Sequence, residues 1–165
     1  MERVADPKAR VDVPITRIDV SAFTIPTDAP EADGTLDWDH TTIVVVHAQG
    51  GGATGVGYTY TDVAAAALIK SVLAPCVVGR DALDIEAAYV AMRRAVRNLG
   101  QQGVTATAIA AVDVALWDLK ARVLDVALVS LLGAARDAEE ARRWPGQVVI
   151  RRMRDHCRNL SSEAS

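Results

Sequence analysis

The stretch HAQGGGATGVGYTY, His47 to Tyr60, sets three consecutive glycines between an apolar run and a second, alternating segment. A glycine-rich turn in this position is where a phosphate-cradling loop would sit. Such a loop needs backbone N–H groups converging at the start of a helix, often with a lysine close behind. No GxxxxGK(S/T) pattern can be read here, and after the glycines the chain alternates as Val56, Tyr58, Tyr60 instead of entering a helix. The segment therefore reads as a hairpin: Thr41 to His47 going up, Gly50-Gly51-Gly52 turning, Thr54 to Tyr60 coming back. Turn chemistry accounts for the glycines without a ligand.

Working outward, Ile15 to Ile25 alternates loosely enough for a first strand, and Pro26 is expected to end it. The stretch after it, through Asp28, Pro30, Glu31, Asp33, Gly34 and Asp37, has the composition of an exposed loop. With the hairpin this makes three strands in one antiparallel sheet.

After Thr61 the period changes to a helical one. Thr61 or Asp62 caps a helix that carries Val63, Ala67, Leu68 and Val72 on one face and is expected to stop at Pro75. A second helix starts near Asp84, with Ile85, Ala88, Tyr89, Met92, Val96 and Leu99 on one face, Arg93, Arg94 and Arg97 on the other, and Gly100 closing it. The longest helical signal runs from Val104 to Leu124, its stripe formed by Ile109, Val112, Leu116, Leu119 and Val123. A short turn, Leu128 to Gly133, follows. Three strands and then about three helices give an α+β fold.

At 165 residues, half of them hydrophobic but only 4% aromatic, the chain has room for one domain with a core of small side chains. A net charge of −3 and a pI near 5.6 leave no basic stripe for nucleic acid. Cys76 and Cys157 lie outside any CxxC spacing, so neither a disulfide framework nor a zinc site is suggested, and reduced thiols are expected. No secretion signal or bilayer-length apolar run is present, so no membrane partner and a cytoplasmic location are expected.

The segment AIAAVDVALWDLKARVLDVALVSLLGA, Ala108 to Ala134, resembles the helix that closes the N-terminal capping domain of the enolase superfamily, in its mandelate racemase and muconate lactonizing enzyme branch. Asp113, Ala115, Leu116, Trp117, Asp118, Ala121 and Leu131-Leu132-Gly133 carry the likeness, with Gly55-Val56-Gly57-Tyr58 upstream. It covers roughly Val13 to Asp137, so an enolase-like capping domain is placed at 13–137. One departure is that Asp125 and Ala127 stand where the family's turn carries glycine and proline.

The resemblance implies a parent enzyme that abstracts a proton α to a carboxylate, with Mg²⁺ stabilising the enediolate and a lysine or histidine as base. Such chemistry sits on a (β/α)₈ barrel of about 200 residues or more. Only some thirty residues follow Asp137 here, and the lysines Lys8, Lys70 and Lys120 form no KxK pair. The expectation is a truncated chain, inactive alone, with no catalytic or metal residue and no cofactor of its own. Whether it is an enzyme in its own right stays open.

What the resemblance does carry over is a capping role for the loops Thr27 to His40 and Tyr60 to Asp62, which would close over a barrel mouth. Trp38 and His40 would touch a small carboxylate substrate, with Asp28 and Tyr60 behind them. The partner is then a barrel domain, absent or on another chain. The alternative reading is a stand-alone interaction or dimerisation module, with a second copy of itself as partner in a homo-oligomer.

Other clusters read more plainly. In an extended chain Asp37 and Asp39 share a side and His40 points away, so DWDH is a polar loop and not a metal cluster. Asp113 and Asp118, about 140° apart round a helix, cannot pair as acid and base, and are expected to bond partner groups or a helix terminus across a domain interface. Residues 138–165 crowd arginines around Pro145 without a sustained period and read as an irregular tail, a pattern that a frameshifted or non-native end would also give.

Overall fold

The computed structural model describes residues 12–134. The expected arginine-rich tail at 138–165 lies outside the described residues. Among the described residues, those up to Leu131 belong to one compact unit and Leu132–Ala134 to a second.

Three strands, β1 (Ile15–Ala32), β2 (Asp37–Gly50) and β3 (Ala53–Tyr60), form one antiparallel sheet in the order β1-β2-β3. Gly51 and Gly52, with φ of +56° and +76°, make the two-residue turn between β2 and β3, as the sequence requires. Gly50, Gly52 and Gly55 stand at the spacing of a dinucleotide-binding fingerprint, but they lead into a strand where that fingerprint needs a helix.

Strand alternation turns Val44, Val46 and Ala48 of β2 toward the helices, and all three are buried. The opposite face carries Val56, Tyr58 and Tyr60, all exposed, and no helix covers it among the described residues. Ile43 is nevertheless buried on that face, between its register partners Phe23 and Tyr60.

Pro26 does not end β1. The strand continues to Ala32 and pairs Pro26 with His40, Glu31 with Trp38 and Ala32 with Asp37, with a bulge between Pro26 and Glu31. An edge strand tolerates proline because the missing N–H faces no partner, and bulges gather at such positions. The expected loop at 27–40 is therefore the far end of the β1–β2 hairpin, called the arm below.

Pro75 does not stop the first helix either. Helix α1 (Ala64–Leu68) passes through a π turn (Ile69–Leu73) into α2 (Ala74–Val77), with Pro75 in the first turn of α2. Proline removes the donor to the carbonyl four residues back and crowds it. A widened turn just ahead places Pro75 where no donor is needed. Asp62 starts the helix by accepting the Ala64 N–H at 2.8 Å.

Helix α3 (Ile85–Ala95) ends earlier than Gly100, with Val96 at its C-cap, so Leu99 falls outside the buried face and is exposed. Helix α4 (Val104–Val123) is buried along most of its length, since it lies on β3 and β2 and is flanked by α1, α3 and the π turn. A short α5 (Leu128–Leu132) follows. Ile69, Leu73, Met92, Leu116 and Leu119 are fully buried between sheet and helices, each worth about 1.5–3 kcal/mol of transfer free energy.

The contact of β3 with α4 decides the geometry of the fold. A Cβ on Gly55 would fall 2.2 Å from the Ala115 carbonyl oxygen, and one on Gly57 would fall 2.1 Å from that of Ala111. Strand backbone thus rests directly on helix backbone, which only glycine on one side and small residues on the other allow.

Candidate functional site

Two polar constellations flank this packing. One is the seam itself. Val56 N–H points out of the β3 edge and donates to Asp118 Oδ2 at 2.8 Å, and the same oxygen takes the Arg122 Nε–H at 2.8 Å. Asp118 therefore satisfies an edge-strand amide inside its own domain, which corrects the expectation of a partner across a domain interface.

Asp113, on another side of α4, is half-buried. Burial, and then the charge of Glu86, hold its carboxyl above the usual value. Trp117 packs partly buried against the core, with the Lys120 ammonium 5.3 Å from its ring centroid and donating to the Leu83 carbonyl at 2.9 Å.

The second constellation is the arm, and it is held by its own side chains. Asp33 Oδ1 accepts from Thr35 N–H at 2.9 Å, Thr35 hydroxyl at 2.6 Å and Leu36 N–H at 3.1 Å, which closes the turn around Gly34 at φ +88°. These bonds, the Thr35 hydroxyl's first, hold the Asp33 carboxyl below its ordinary pKa. The Asp33-Gly34 pair is a hairpin-turn signal that could have shown the arm in the sequence.

Trp38 Nε1–H donates to Glu31 Oε2 at 2.8 Å across the register pair, so Glu31 orients the indole. Sequence reasoning missed Glu31 because the pairing that brings it to Trp38 exists only once the loop is a hairpin. His40 Nδ1 lies 2.6 Å from Asp39 Oδ1. His40 therefore does not point away from Asp39, as an ideal extended chain would have it; at an exposed, bulged stretch of hairpin the two neighbouring side chains meet. Asp28 is exposed within the bulge.

Tyr60 stands apart from Trp38 and His40. It pairs with Ile43, an odd number of residues from both Trp38 and His40 along β2, so strand alternation starts its Cα–Cβ bond on the opposite face of the sheet from theirs. Its ring meets that of Tyr58 edge-on, with centroids 6.2 Å apart, and burial followed by the Tyr58 neighbour raises its hydroxyl above the ordinary 10.0. The turn after Tyr60 is tied down by Thr61 N–H to the Thr42 carbonyl at 3.2 Å and by Thr107 hydroxyl to Thr61 hydroxyl at 3.1 Å. Of the four residues expected in the capping loops, Trp38 and His40 therefore share the arm with Asp28, while Tyr60 belongs to the end of β3.

Among the described residues, no group of three or more His, Cys, Asp or Glu side chains could hold a metal ion. In the DWDH segment the His40 Nδ1 is committed to Asp39. No helix among the described residues is long and apolar enough to cross a membrane.

The chain that folds this way matches a family model, the N-terminal domain of mandelate racemase / muconate lactonizing enzyme, over residues 18–133. The chain belongs to this family. Among solved structures, the mandelate racemase/muconate lactonizing enzyme-like protein from Rubrobacter xylanophilus is 51% identical with a TM-score of 0.70, the match covering 72% of this chain and 33% of that one. L-talarate/galactarate dehydratase from Salmonella typhimurium LT2, solved with Mg and L-lyxarohydroxamate, superposes with a TM-score of 0.72 at 27% identity, over 82% of this chain and 37% of that one.

Among curated relatives, the 3,6-anhydro-alpha-L-galactonate cycloisomerase of Streptomyces coelicolor is 36% identical over 108 residues, 63% of this chain and 30% of its own length. The chain spans about a third of the length of these mandelate racemase/muconate lactonizing relatives. The α+β fold expected from the sequence is the fold of this family's N-terminal domain.

Proposed function

We propose that residues 13–137 form the lid of a mandelate racemase/muconate lactonizing-type enzyme, a domain that closes over a carboxylate substrate while a barrel domain supplies the acid, the base and the Mg²⁺ site. The observation that carries this reading is the arm. It extends the β1–β2 hairpin beyond the residues buried under the helices, keeps its shape through its own hydrogen bonds, and presents Trp38 and His40 with their orienting carboxylates Glu31 and Asp39. A protruding hairpin held this way can cover a site without drawing on the core for its shape.

Among the described residues no set of side chains fits a magnesium site, which leaves the metal to the barrel domain. Its contribution is to exclude water and to select the substrate. In the parent reaction class, a proton leaves the carbon next to a carboxylate and the developing charge is taken up by a divalent cation.

Solvent-deuterium exchange tests the division of labour. The 165-residue chain with Mg²⁺ alone leaves the α-hydrogen of a hydroxy acid unexchanged. Fused ahead of the barrel of the Rubrobacter xylanophilus relative, it supports exchange, and Trp38→Ala in the fusion raises KM by about tenfold, the cost of one aromatic contact. Exchange by the chain alone would end this reading.

A further inference from the structure

Charge is segregated on this domain. The arm, residues 27–40, holds five acidic residues and no lysine or arginine. At its tip Leu36 is 70% exposed between Asp33 and Asp37. The opposite chemistry lies along α3, where a groove of about 390 Å³ is lined by Tyr89, Val90, Arg93, Arg94, Arg97 and Gln101. Val90 and Tyr89 are its apolar lining, and the three arginines its charged lining. Arg93 is already held, 5.9 Å above the Tyr89 ring and hydrogen-bonded to Gln101, so part of the charged lining is ordered before anything binds.

We infer that copies of this chain associate through these two surfaces, the acidic arm of one copy seated in the arginine-lined groove along α3 of another. The fit is chemical at two levels. Leu36 is an apolar knob for Val90 and Tyr89, and Asp33 and Asp37 beside it offer carboxylates to the arginines. Arginine suits this contact because its planar donor fork engages carboxylates in pairs. Arm and groove are different surfaces, so the contact is heterologous and propagates unless two copies exchange arms. An arm seated this way is not available to cover a substrate, which makes association and capping mutually exclusive uses of one element. The inference does not rest on the capping reading, and either can fail without the other.

Sedimentation velocity of the 165-residue chain at about 50 mM and about 500 mM salt is the test, since exposed charge pairs lose most of their attraction as the screening length shortens. The expected result is a species heavier than the monomer at low salt that dissociates at high salt. Asp37→Arg and Arg94→Glu, both at exposed positions, should each weaken association by about tenfold or more through like-charge contact. An equimolar mixture of the two variants should associate again, because the reversed arm then meets the reversed groove. A monomer at low salt would overturn the inference. So would an assembly indifferent to salt and to both reversals, or a mixture that fails to recover.

Discussion

The β3–α4 seam and the β1–β2 arm are built on opposite plans. At the seam, two backbones touch: Gly55 and Gly57 leave no room for a methyl group, Ala111 and Ala115 supply the facing surface, and Asp118 secures the Val56 amide. In the arm, three side chains are held by neighbours within the same hairpin, Asp33 by its turn, Trp38 by Glu31 and His40 by Asp39, and most of the arm is exposed. Interiors packed to crystal density transmit any change, whereas exposed hairpins absorb it. The seam thus fixes where the sheet lies on the helices, and the arm is free to vary in sequence.

The sharpest way to break this contrast is Gly57→Ala. A Cβ 2.1 Å from the Ala111 carbonyl cannot be accommodated without moving strand from helix, and the expected loss is about 3 kcal/mol or more, seen as a fall of roughly 10 °C in Tm. A variant that melts like the parent would show that the seam is not close-packed.

Next in size is Asp118→Ala, which strands the Val56 amide and frees Arg122. A loss of about 1–2 kcal/mol in denaturant unfolding is expected, with Asp118→Asn recovering part of it because the amide oxygen still accepts.

A change at the end of α4 runs the other way. Asp125 has φ +53°, the left-handed position that closes a helix, and Val126 N–H reaches back to the Ala121 carbonyl at 2.9 Å. Asp125→Gly removes the side-chain clash at that φ and should stabilise by about 0.5–1 kcal/mol, read by the same unfolding experiment.

The smallest effect is expected in the arm. Asp33→Ala should leave global unfolding unchanged within error while the Thr35 and Leu36 amides lose their protection in hydrogen exchange. The pH dependence has a definite sign. Hydrogen bonds hold the Asp33 pKa below the ordinary 3.8, so the turn gains from the ionised form above that value and loses it as pH falls through the lowered pKa. Amide shifts of Thr35 and Leu36 followed by NMR should therefore titrate with a midpoint below 3.8, and a midpoint above it would show that the Asp33 bonds do not form in solution. Global destabilisation by Asp33→Ala comparable to that of Asp118→Ala would erase the distinction between the two regions.

Much of the fold was legible in the residues. The alternation of β2 and β3, the glycine turn between them and the helical periods of α3 and α4 are local signals, and local signals survive folding when the core agrees with them. Two prolines misled because their effect depends on surroundings. Pro26 is harmless on a strand edge, and Pro75 is harmless after a π turn. The candidate site was only half legible. Trp38 and His40 stand out as an aromatic and a titratable residue in an acidic stretch, whereas Glu31 and Asp39 matter only through the contacts they make. The role of Asp118 was hidden for the same reason, since its partner Val56 lies sixty-two residues away in sequence.

By itself, then, the order of residues settled the class of fold and the family, because periodicity, turn glycines and the Asp-x-x-x-Trp-Asp helix are properties of neighbours along the chain. Only the folded chain decided that Gly55 and Gly57 are packing surfaces, that Trp38 and His40 lie on an arm while Tyr60 starts from the other side of the sheet, and that Asp118 bonds within its own domain. Each of those facts depends on distances between segments far apart in sequence, and such distances are set by which surfaces bury one another.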